Sequence, residues 1–219
     1  MFELNHSDIK KAIIKSQHCQ RNWDLSKEIP SEDLDLLLTA ATQCPSKQNV
    51  AFYKLHFVTN RDLIEQIHDQ TRGFTTRYEP YEAETNSQTL ANLLIVFEKY
   101  DYTKDLSEDI HRSDETRAIL NKSLTPEQEE LLKRDREMAV GIAAGYLNLT
   151  ATILGYSTGC CACFSPQEVK RILNLEDDPI LLMGIGFKNP EMNRRIHHTN
   201  HNFTFPTKVK QEIKYQFYS

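Results

Sequence analysis

Apolar residues recur at helical spacing in five stretches of this chain and run without interruption in three others. Ser7-Asp8 before IKKAIIK predicts a capped first helix ending near Gln17, with Ile9, Ile13 and Ala12 on its buried face. Pro30-Ser31 opens a second, EDLDLLLTAATQC, with Leu34, Leu37, Leu38 and Ala41 on one side, and Pro45-Ser46 stops it. Phe52 to Val58, FYKLHFV, alternates like a strand, and LIEQIHDQ after Asn60-Arg61-Asp62 reads as a short helix. Leu93 to Phe97, LLIVF, and Pro179 to Gly186, PILLMGIG, are continuous apolar runs and predict central strands buried on both faces. Between them, Ser165-Pro166 opens a helix with Val169, Ile172 and Leu173 inward, and Val209, Ile213 and Phe217 predict a last helix in the tail.

The longest pattern dominates the chain. Met138 to Gln167 carries no Asp, Glu, Lys or Arg, beginning as an apolar helical run and ending in a Gly/Ser/Thr/Cys loop, GYSTGCCACF. Upstream, Thr125-Pro126-Glu127-Gln128 has capping-box order, so one helix is predicted from Pro126 to about Leu154. Its first third is charged and the remainder is apolar on nearly every side. Gly141 and Gly145 stand at GxxxG spacing, which permits two helix backbones to approach closely, within the chain or across a dimer. Ala, Gly, Thr and Asn dominate the run, Gly155 breaks it, and no second candidate span exists, so protein and not lipid is expected to bury it.

Composition narrows the class. The chain has 219 residues, 39% apolar and 26% charged, with a net charge of −5. That is enough for one domain with a single sizeable core, and the scattered Lys and Arg argue against a nucleic-acid partner. The N-terminus, MFELNHSDIKKAIIK, lacks the apolar core of a secretory signal. Five cysteines, Cys19, Cys44, Cys160, Cys161 and Cys163, an odd number with three of them bunched, suit reduced thiols in the cytoplasm. A polar stretch from about residue 100 to 124 reads as a solvated connection or a flap over a site. The cysteine cluster with His197, His198 and His201 is an alternative metal site, but its crowding disfavours zinc against small buried thiols. The chain contains no Walker loop or GxGxxG, and Ser157 and Ser165 lack a convincing nucleophile context.

The ordered set of features resembles the FMN-dependent nitroreductase superfamily over about residues 7 to 196. It comprises an early helix and short basic segment, a helix followed by Pro45-Ser46-Lys47-Gln48-Asn49 and a strand, then the long buried helix, the small-residue loop ending at Phe164, a helix, a strand and a late arginine pair. The resemblance implies an α+β domain over 1–219: a small mixed sheet surrounded by helices, with the long helix central to a homodimer. It also implies FMN at the subunit interface, NADH or NADPH as reductant and ping-pong hydride transfer to a nitroaromatic, quinone-like or related small molecule. Implied flavin contacts are Gln17, His18, Cys19 and Arg21 early in the chain. Pro45, Ser46, Lys47 and Asn49 are implied as contacts from the partner subunit, Cys161, Ala162 and Cys163 beside N5, and Arg194 and Arg195 toward the phosphate. Gln17 and Cys19 depart from the family's Arg-x-Ser-x-Arg/Lys, and Ala51-Phe52 replaces its Gln-Pro. These departures keep open a flavin-binding or flavin-modifying protein of redirected activity. The flavin carries the chemistry, so no side chain is expected to be catalytic, and Arg21 is expected to give electrostatic support.

Overall fold

The computed structural model describes residues 5–73, 85–100, 125–207 and 209–218. Among the described residues five α-helices surround a four-stranded sheet: α1 His6–Ser16, α2 Ser31–Thr42, β1 Tyr53–Val58, α3 Arg61–His68, β2 Leu93–Lys99, α4 Pro126–Ile153, β3 Ser157–Cys161, α5 Pro166–Leu173 and β4 Pro179–Gly186. Short 3-10 turns occupy Lys47–Asn49 and Ser87–Thr89. The expected flap at 100–124 lies, beyond Tyr100, outside the described residues.

The sheet order is β1-β2-β4-β3, and every strand pair in it is antiparallel. The expected mixed character is confined to a parallel bridge between Cys19 and Thr158. β2 is buried on both faces, as its uninterrupted apolar run predicts. Its alternation divides the core in two. Leu94 and Val96 join Trp23, Ile64, Ile67 and Val169 on the side of α3 and α5. Leu93, Ile95 and Phe97 join Leu37, Ala143, Leu147, Met183 and Ile185 on the side of α2 and α4. One buried charge sits within β2: Glu98, 1% exposed, is bonded to His56 Nε2 at 2.7 Å across the strand pair.

The helix ends follow local chemistry. Thr125 and Gln128 form the predicted capping box on α4. Asn5, two residues ahead of the expected Ser7, accepts from Ser7 N at the start of α1. Gly155 ends α4 at φ +95, a left-handed conformation that favours glycine. α4 buries one stripe, Asp135, Ala139, Val140, Ala143, Leu147, Ala151 and Thr152. Its other apolar face is open: Met138, Ile142, Tyr146 and Ile153 are 40–51% exposed, and nothing lies within 4 Å of a Cβ built on Gly141 or Gly145. α1 shows the same habit, with Ile9 and Ala12 half-buried and Ile13 exposed.

Two expectations are corrected. The first five residues of STGCCACF form β3, an edge strand, because β4 supplies its ladder; the small-residue composition read as a loop. Residues 209–218 hold no helix. Val209, Ile213 and Phe217 are at least 75% exposed, so no packed face supports their i,i+4 spacing in this chain. Among the described residues no helix is long and apolar enough to cross a membrane.

Candidate functional site

The segment after α1 runs along the outer edge of β3 and then across the end of β4. Gln20 N donates to Thr158 O at 2.8 Å, Arg21 N to Arg194 O at 3.1 Å and Asp24 N to Phe187 O at 2.9 Å. These bonds bring the early and late basic residues together across more than 170 positions of sequence. Gln17, His18, Cys19, Arg21, Arg194 and Arg195 line one cavity of about 200 Å³, closed on its far side by Phe205, Pro206 and Thr207.

Among the described residues no carboxylate lines this cavity. The guanidinium of Arg21 lies 4.3 Å from the centre of the Phe205 ring, and its Nε is buried without a hydrogen-bond partner. Burial is the main cause lowering its pKa from the usual guanidinium value; Cys19 raises it and Arg194 lowers it further. Arg21 remains a cation. Arg194 Nη1 donates to Cys19 O at 3.1 Å, and Arg195 Nη1 donates to Phe205 O at 3.0 Å. Guanidinium groups gathered with no carboxylate among the described lining residues are suited to an anion, and a phosphate matches their forked geometry.

Phe205 is held from behind. The Ile196–Thr204 bridge and the Phe205 N to Arg195 O bond fold residues 195–205 into a strap. His197, 2% exposed, stacks on Phe205 with centroids 6.0 Å apart, and its Nδ1 accepts from Thr199 N and Asn200 N. Sequence reasoning missed Phe205, because an aromatic in a polar tail carries no periodic signal. His197, His198 and His201, weighed as ligands, act structurally here: His198 Nδ1 accepts from Trp23 N and His201 Nε2 donates to His198 O. Among the described residues no group of three His, Cys, Asp or Glu side chains is arranged to hold a metal, and all five cysteines are free thiols.

The PSKQN loop lies elsewhere. Ser46 and Asn49 line a separate cavity of about 610 Å³ between the end of α2 and β1. β1 and β3 occupy opposite edges of the sheet, about 14 Å apart at the usual strand spacing. Pro45 and Lys47 are exposed, and the Lys47 ammonium is paired with Asp135 at 2.6 Å. Ala51 is exposed and Phe52 is buried. Cys161 ends β3 with its side chain buried, and Ala162 and Cys163 follow on the surface, tied down by Arg72 N donating to Cys163 O at 2.7 Å. Burial raises the Cys161 thiol, which stays protonated at neutral pH.

An α+β fold with an arginine-lined pocket at one sheet edge and a polar loop at the other has the chemistry to suit a small phosphorylated ligand. A sequence profile described as Nitroreductase family matches residues 14–187. The chain belongs to this family of oxidoreductases. It is 24% identical over 208 residues, 89% of this chain and 93% of the relative, to MhqN of Bacillus subtilis (strain 168), assigned by name as an NAD(P)H nitroreductase. Among solved structures, it is similar to the nitroreductase-assigned ydfN of Bacillus subtilis, with a TM-score of 0.69, 15% identity and coverage of 97% of this chain and 100% of the other. It is also similar to a nitroreductase-assigned protein of Exiguobacterium sibiricum solved with FMN, with a TM-score of 0.62, 16% identity and coverage of 96% and 95%. These structural likenesses establish the fold.

Proposed function

We propose that this chain is an FMN-dependent oxidoreductase that takes reducing equivalents from NADH or NADPH and passes them, by a ping-pong sequence, to a nitroaromatic, quinone-like or related acceptor. The observation that carries the reading is the cavity that gathers Arg21, Arg194 and Arg195 with no carboxylate among its described lining residues, where the family places its early and late basic residues. The residues fit a flavin mononucleotide. The cavity suits a phosphate and the adjoining chain, and lies below the ~300–1,000 Å³ that encloses a whole drug-sized ligand. From Thr158, beside Cys19, the β3 edge runs about 13 Å to Ala162. A mononucleotide whose phosphate Arg194 and Arg195 hold would have the Ala162–Cys163 backbone within reach of its ring.

When bound, FMN supplies the hydride chemistry at its ring. Arg194 and Arg195 neutralise the phosphate, and Gln17 and Cys19 add polar but uncharged contacts where the family pattern has Arg and Ser. Arg21, fixed by Phe205, would set a cation against the negative charge that reduction accumulates on the flavin ring.

The second half of the site comes from a second copy of the chain. Ser46 and Asn49 stand at the opposite sheet edge from the arginine pocket, and a two-fold partner offers them without either edge moving. The open face of α4, with room beside Gly141 and Gly145, supplies the contact for a homodimer. The free thiols and the acidic net charge fit a single-domain cytoplasmic enzyme. The absorption spectrum of the purified protein tests the reading. Flavin bands that bleach on adding NADH or NADPH under nitrogen are expected. Flavin bands without bleaching favour a flavin-binding protein of redirected activity, and a colourless protein that takes up no FMN overturns both.

A further inference from the structure

The buried stripe of α4 begins with a charge. Asp135 precedes Ala139, Ala143, Leu147 and Ala151 at helical spacing, and its side chain is 6% exposed. A carboxylate so deep in a helix contact is costly unless a cation meets it. Lys47, 88 residues earlier, meets it with Nζ 2.6 Å from Oδ2.

Lys47 belongs to a loop under strain. Gln48 and Asn49 both lie in the left-handed region, at φ 55 and φ 56. Asn adopts that region readily and Gln does not, so the pair persists only where the surroundings hold it. Inside the loop, Ser46 Oγ donates to Val50 O at 2.8 Å, Asn49 N to Ser46 O at 3.2 Å and Val50 N to Lys47 O at 3.1 Å. These bonds set the loop's shape but do not tie it to α4. The Lys47–Asp135 pair makes that tie, one turn before Met138 and Ile142 begin the helix's open apolar face.

We propose that Lys47 and Asp135 are positioning residues. Their ion pair latches the PSKQN loop to α4, so that the helix that packs on the second copy also sets where Ser46 and Asn49 enter that copy's site. This rests on the flavin reading above, and it assigns the Lys47 ammonium to the helix and not to the cofactor. A small error in this offset is expensive, because a displacement of about 1 Å in a positioned group costs up to about a hundredfold in rate.

The test compares wild type, Lys47→Met, Lys47→Arg, Asp135→Asn and the double variant Lys47→Met/Asp135→Asn, each purified as the holoprotein. Hydrogen exchange at residues 46–50 reads the latch without reference to FMN. Faster exchange at Asn49 and Val50 is expected in Lys47→Met and Asp135→Asn, with Lys47→Arg close to wild type. The FMN dissociation constant, followed by flavin fluorescence on dilution, should rise about tenfold in the same two variants and recover in Lys47→Arg. The double variant should resemble the single ones and not their product, as expected of two halves of one interaction. Circular dichroism and oligomeric state should not change, which separates positioning from folding. Unchanged loop exchange overturns the latch whatever the flavin does. A loosened loop with wild-type FMN affinity and turnover overturns its role in the site. Wild type that binds no FMN defeats the flavin reading and, with it, the assignment of Ser46 and Asn49.

Discussion

Replacing Arg21 by methionine separates binding from stability, because the two effects carry different signs of charge. Methionine keeps an aliphatic stem and a polarisable sulfur against Phe205, whose ring centre lies 4.3 Å from the guanidinium. What it removes is a buried cation beside Arg194, with a buried Nε that has no hydrogen-bond partner. In the flavin-free protein that cation is a liability: burial opposes its charge and Arg194 repels it. The variant therefore gives up only a cation–π contact of about 0.5–1 kcal/mol, partly replaced by the thioether. Its flavin-free melting temperature should stay within a few degrees of wild type. Toward FMN the balance reverses. Loss of one charge-assisted hydrogen bond costs about 1.5–3 kcal/mol, and each 1.4 kcal/mol is tenfold, so the FMN dissociation constant should rise about ten- to a hundredfold. Titration of flavin-free protein with FMN, read by quenching of flavin fluorescence, measures it, and reduction by NADH or NADPH should slow in parallel. An unchanged dissociation constant would remove Arg21 from the site. A flavin-free protein destabilised by tens of degrees would make Arg21 a structural residue instead.

Ile142→Asp puts a carboxylate on the open face of α4, where the side chain is 40% exposed and turned from the chain's own core. Light scattering should show a monomer with unchanged circular dichroism and weakened FMN retention; a dimer at wild-type concentrations would place the interface elsewhere. Acid should destabilise the protein through its buried histidines. Burial lowers His68 from 6.5 to about 4 and also lowers His197, with His68 facing Asp69, His197 and Arg61. In both cases the folded state binds its proton less tightly than the unfolded chain. Stability is therefore full above about pH 6.5 and falls as pH drops toward 4, by up to about 3 kcal/mol for His68. Urea midpoints measured from pH 7.5 to 4.5 should trace that slope, and His68→Phe should flatten it; equal slopes would show that other groups carry the acid transition.

Much of the fold was legible in residue order because its signals are local. Thr125 to Gln128 closes its capping box within one turn, and the runs at 93–97 and 179–186 are apolar enough to demand burial on both faces. The basic residues Arg21, Arg194 and Arg195 were identifiable from the resemblance, and the fold brings them into one pocket with Gln17, His18 and Cys19. Ser157–Cys161 was not legible as a strand, since small residues have little strand preference and β4's hydrogen bonds decide its state. The tail failed in the opposite direction. Its i,i+4 spacing is helical, but residues 209–218 meet no surface of this chain that would bury Val209, Ile213 and Phe217, and spacing alone does not sustain a helix in water.

Contacts distant in sequence belonged to the tertiary structure alone. Phe205 over Arg21 and Lys47 on Asp135 join residues separated by 184 and 88 positions. Neither pair has a periodic signature, because each arises only when separate elements pack. Local propensity and hydrophobic period determined which helices and central strands this chain makes. Packing decided that β3 closes the sheet, that the arginines converge without an acid among them, and that the Ser46–Asn49 loop stands at the opposite edge, out of reach of the pocket its own chain builds.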